Sequence, residues 1–80
     1  MSRSARAEFC EEANATLNEK LTLRLISEKV VVLRQNTVVA ECPNPPAEIV
    51  SHLRAGAGIA EAIVSSVQIL SQTLEVELCQ

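Results

Sequence analysis

Residues 29–42 read KVVVLRQNTVVAEC, two apolar runs around a polar break. Val30, Val31, Val32 and Leu33 form the first run, and Thr37, Val38, Val39 and Ala40 the second, with Arg34-Gln35-Asn36 between them. Runs rich in β-branched residues around a short polar segment predict a hairpin. Side chains alternate between the faces of a strand, so a sheet with one wet face alternates apolar and polar residues. Neither run alternates, so both faces of this hairpin need cover. A chain of 80 residues has little material for two covering layers. The mismatch points to a partner, either a second copy or another protein.

Upstream, Leu21, Leu23 and Leu25 alternate with Thr22 and Arg24, which predicts a half-buried strand ending near Ile26. Ser27-Glu28-Lys29 turns it into the hairpin, whose own turn has Asn36 as the residue suited to a left-handed backbone. Further upstream, Ala5, Phe9, Ala13 and Leu17 recur every four residues, with Glu8, Glu11 and Glu12 opposite. That spacing predicts a helix over 4–18, capped by Ser4.

Downstream, Cys42-Pro43-Asn44-Pro45-Pro46 ends the sheet, because proline cannot donate to a ladder. Pro46 suits the first turn of a helix over 47–54, with Asn44 as a cap and Ile49, Val50 and Leu53 as its apolar side. Ala55-Gly56-Ala57-Gly58 predicts a break, with Gly56 closing that helix. Ile59, Ile63, Val67 and Leu70 then predict a second helix over 59–72. Leu74, Val76 and Leu78 alternate with Glu75, Glu77 and Cys79, a one-sided strand.

The order α-β-β-β-α-α-β predicts a single small α+β domain over 1–80. An antiparallel four-stranded sheet carries its helices on one face in a two-layer arrangement. Val31, Leu33 and Val38 join the core beneath the helices. Val30, Val32, Thr37 and Val39 are left over as an interface for a partner.

Composition bounds the function. Apolar residues make up 48% of the chain, ample for a core, and Phe9 is the only aromatic. The net charge of −3 and the scattered Lys and Arg residues argue against nucleic acid, which needs a basic cluster and, for single strands, aromatic platforms. No run approaches the length of a membrane helix, and the N-terminal MSRSARAEFCEE lacks the apolar region of a signal peptide. The expected compartment is the cytoplasm. Cys10, Cys42 and Cys79 are odd in number and widely spaced, so they read as reduced thiols rather than a metal site with His52. Asn14-Ala15-Thr16 matches a glycosylation sequon, read as chance in a chain without a secretory signal.

No nucleophile–base pair and no G-x-S-x-G occur, so no catalytic residue, cofactor or metal is assigned. His52 reads as a surface residue. Gly56 and Gly58 open onto the predicted second helix, whose first N–H groups could hold an anion. Glu41, a carboxylate at the end of an apolar strand, has Arg24 and Arg34 as candidate partners. Gly56, Gly58, Glu41 and Arg34 are therefore the candidate ligand-binding residues, with His52 in reach.

KVVVLRQNTVVAE followed by EIVSHLRAGAGIAEAI loosely resembles the centre of the chorismate lyase and UTRA ligand-binding families. The resemblance implies a hairpin, a short helix, a glycine-containing loop and a second helix. Those families grip carboxylates with arginines on the hairpin strands. The segment Val30-Val31-Val32 carries none, so the resemblance implies no lyase activity here. The leading expectation is a non-enzymatic interaction module, a homo-oligomer or a subunit of a larger assembly. The alternative is a small domain that binds a carboxylate or phosphate, or a minimal enzyme.

Overall fold

The structure, a computed structural model, describes residues 3–79. Its elements are β1 Ser4–Phe9, β2 Lys20–Ile26, β3 Lys29–Arg34, β4 Thr37–Cys42, α1 Ala47–Ala55, β5 Ile59–Gln68 and β6 Thr73–Leu78. The strands close into a barrel in the order β1-β4-β3-β2-β5-β6, each antiparallel to its neighbours. This replaces the two-layer α+β domain expected from the sequence. Its four-stranded sheet becomes six strands, and one short helix stands where three were expected.

The helices expected over 4–18 and 59–72 are corrected to β1 with a following loop, and to β5 with a turn. Spacings of four and eight are even, so they satisfy a strand's period of two as well as a helix's 3.6. A step of two separates them, since it stays on one face of a strand and crosses to the opposite side of a helix. Ala5 and Ala7 point inward and Arg6 and Glu8 outward, a strict alternation. In β5, Ala62 and Val64 are buried while Ile59, Glu61 and Ile63 are exposed. The part of the chorismate lyase and UTRA resemblance that required a second helix fails for the same reason.

Closure also removes the problem of the two-sided hairpin, because a sheet closed on itself supplies the cover for its own inner face. Val30 and Val32 are fully buried inside the barrel, and Val39 and Ala40 join them. The pairing passes from Val32↔Ala40 to Leu33↔Val38, so Val39 is the extra residue of a β-bulge. The bulge turns two consecutive residues inward. It leaves Val38 and Thr37 exposed. The expected facing is thus reversed for Val30, Val32, Val39 and Val38.

The interior is narrow and filled by side chains of unequal size. In a ring of six, strands three places apart face each other. Leu21 and Leu23 of β2 thereby oppose Ala5 and Ala7 of β1. α1 covers the lower end, with Ile49 and Leu53, one turn apart, fully buried against the β2 and β5 side. Its N-cap is Pro46 with no side-chain cap bond, so Asn44 does not cap. Gly56 closes it as expected, its N–H bonding the His52 and Leu53 carbonyls. Gly58 has φ +85° and hands the chain to β5, accepting a bond from the Leu25 N–H at 2.8 Å.

The turns are tight. Ser27 and Glu28 both have positive φ, the signature of a two-residue type I′ hairpin. At the next hairpin the left-handed residue is Gln35 rather than Asn36.

Candidate interaction site at the β5–β6 hairpin

β5 is ten residues long, and its neighbour β2 is too short to match it. Pairing with β2 runs from Arg24↔Ile59 to Lys20↔Ile63. It ends at a bulge, where Asn18 (φ 70°) donates its N–H to the Val64 carbonyl and Glu19 accepts from the Val64 N–H. Beyond Val64, β5 continues beside β6 alone, through Ser66↔Glu75, Val67↔Leu74 and Gln68↔Thr73. Among the described residues no strand pairs with 65–68 on the other side. Ser65 steadies the departure by donating its hydroxyl to the Glu75 carbonyl at 3.2 Å.

The turn at the tip is closed by a bond from the Gln72 N–H to the Ile69 carbonyl at 3.2 Å. Turn tips favour Gly, Asn, Asp and Ser. Here Ile69 and Leu70 occupy it, 83% and 101% exposed. Residues 62–74 carry no charge, the longest such run of the chain, and no proline. Periodicity masked this site in the sequence, because Leu70 completed an apparent helical stripe. The usable signal was the uncharged, glycine-free run between two strands.

The residues singled out from the sequence do not converge. Val30, Val32 and Val39 are inside the barrel and offer no docking surface; Thr37 is exposed. Arg34 ends β3 at the upper rim, whereas Gly56 and Gly58 lie at the lower end beside α1. Glu41 is exposed on the outer wall, paired across from Glu8 and Val31. His52 is exposed on α1. An open groove of ≈ 370 Å³ is lined by Arg6, Glu8, Pro43 and Asn44.

Arg34 has a structural task. Its guanidinium donates to both Glu19 carboxylate oxygens, at 2.5 and 2.9 Å, and to the Asn14 carbonyl at 2.8 Å. The two bonds from Arg34 to the carboxylate, followed by one from the Thr16 N–H, hold the Glu19 carboxyl down at about 2. The clasp fixes the 10–19 loop across the upper end, where Ala15 is buried. Burial pushes the Cys42 thiol up to about 11, so it is inert at neutral pH. The three cysteines are free thiols. Among the described residues no His, Cys, Asp and Glu side chains group as metal ligands, and no helix is long and apolar enough to cross a membrane.

No protein-family model matches the chain, and no curated protein or solved structure matches it.

Proposed function

We propose that the chain is a small non-enzymatic protein-interaction module, working as a homo-oligomer or as a subunit of a larger assembly. The observation that carries this reading is the bare Ile69-Leu70 pair at the tip of a hairpin whose residues 62–74 carry no charge. Two exposed aliphatic side chains give the fold no burial and reduce solubility. Burying each against a partner would be worth roughly 1.5–3 kcal/mol. An open strand edge beside them adds backbone hydrogen bonds to that contact. The free thiols fit a reducing compartment such as the cytoplasm. The carboxylate- or phosphate-binding alternative draws less support, since Arg34 is committed to Glu19 and lies far from the glycines.

A photoreactive benzophenone amino acid in place of Leu70, expressed in cells, tests the proposal. Covalent adducts to a second copy or to one dominant polypeptide are expected from this position and not from the same group at Ser51 on α1. Equal, diffuse labelling from both positions would overturn it.

A further inference from the structure

We propose that the partner is a second copy of this chain, joined by antiparallel pairing of residues 65–68 of one β5 with those of the other around a twofold axis at Val67. The inference rests on the interaction reading above and specifies its occupant.

Strand parity sets the geometry. In β6, Leu78 donates its N–H to Arg3 on the β1 side, and Cys79 donates to Glu61 on the β5 side. Odd-numbered residues of β6 therefore turn their backbone toward β5. Their partners Ser66 and Gln68, opposite Glu75 and Thr73, point back at β6. Val67, between them, turns its N–H and C=O to the unpaired side. Two copies meeting antiparallel at Val67 exchange both N–H···O=C bonds in one hydrogen-bonded pair.

The side chains match as well. Around an axis at Val67, Ser66 of one copy lies opposite Gln68 of the other, and Val67 lies opposite itself. Ser66 and Gln68 already share a face, since the Gln68 amide donates to the Ser66 hydroxyl at 3.1 Å. The other face sets valine against valine, a favourable cross-strand pair. Ile69 then falls opposite residue 65 of the partner, so each tip packs beside the partner's β5 and not against the partner's tip.

Charge favours self-pairing over a foreign partner. A twofold contact sets residue i against j and j against i, so a segment without charge meets its copy with no like-charge repulsion. The chain carries a net charge of −3, yet residues 62–74 are free of charge. Edge strands that must stay single are guarded by lysine, proline or inward charges. This edge has none of them, and it has no charges with which to steer or select a foreign surface.

Light scattering over a dilution series from millimolar to micromolar tests the inference. A mass approaching twice 8.6 kDa at the high end, falling to one copy on dilution, is expected. The variant Val67→Pro removes the N–H on the open side, where an edge strand tolerates proline, and should remain a monomer throughout. The double variant Ser66→Lys/Gln68→Lys changes only outward positions and should raise the dissociation constant at least tenfold, more at low salt. A wild-type monomer at every concentration would overturn the inference, as would a dimer that the lysine pair leaves unchanged. A monomer whose position 70 crosslinks to another polypeptide sinks self-pairing and leaves the interaction reading standing. Diffuse labelling at both positions sinks both.

Discussion

β3 and β5 are both rich in apolar residues, and the barrel treats them in opposite ways. β3 has a neighbour on each side along its length, and both of its faces are covered. Val30 and Val32 are fully buried inside, and Val31 and Leu33 are only 8% exposed outside. β5 turns its small residues inward and its isoleucines outward, with Ile59 54% and Ile63 37% exposed. Hydropathy alone does not separate the two strands. Width does: where α1 and the opposing strands fill the axis, an alanine fits and an isoleucine does not. β5 also outruns its neighbour, so its far end remains a free edge.

The sharpest break of this comparison is a charge placed on each strand. Val32→Lys sets an ammonium in the sealed interior with no partner. Its cost should exceed about 4 kcal/mol. Domains of this size hold roughly 0.05–0.15 kcal/mol per residue, so the variant should be unfolded by circular dichroism at room temperature. Ile63→Lys on the outer wall should change stability by about 0.5 kcal/mol or less. Equal losses in both variants would mean that β5 is not facing as described.

A finer version exchanges size rather than charge. Ala62→Leu adds three carbons to a site with no room, and should destabilise by about 1–3 kcal/mol in urea titrations. Ile63→Ala removes three carbons from a half-exposed site and should cost less than about 1 kcal/mol. A stabilised Ala62→Leu variant would show that the axis has room to spare, and the size argument would fail.

How much of this was legible follows from the same two strands. The strands containing Leu21–Leu23, Val30–Leu33, Val38–Ala40 and Leu74–Leu78 were readable, as was the helix carrying Ile49 and Leu53. Their patterns are short runs or single-period alternations bounded by turn residues. The first strand and β5 were not readable from their i, i+4 stripes, which fit both periods. Ala7 was the discriminating residue, and alanine is a weak signal because it also favours helices. Closure was not legible either, since no local pattern reports that the last strand meets the first. In an open sheet, Val30, Val32 and Val39 count as surplus surface. The apparent helical stripe takes in Ile69 and Leu70 and so hides the hairpin tip.

The ends of the two strands differ too, and the smallest prediction concerns that difference. The end of β5 pairs on one side only, whereas that of β3 is fastened by the clasp between Arg34 and Glu19. Arg34, helped by the Thr16 N–H, lowers the Glu19 carboxyl from 4.5 to about 2. A carboxyl lowered on folding binds fewer protons in the native state than in the unfolded one. Its contribution is therefore complete above about 4.5 and is lost as the pH falls toward about 2. The two side chains are 40% and 22% exposed, so solvent screening holds the contribution to about 1 kcal/mol. Glu19→Gln should be about that much less stable than the wild type at neutral pH, with the gap closing as the pH is lowered through that window. Amide exchange in residues 10–19 should quicken in the variant, while exchange in 65–68 stays as it was. A gap independent of pH would assign the loss to packing of the loop rather than to the charge on Glu19.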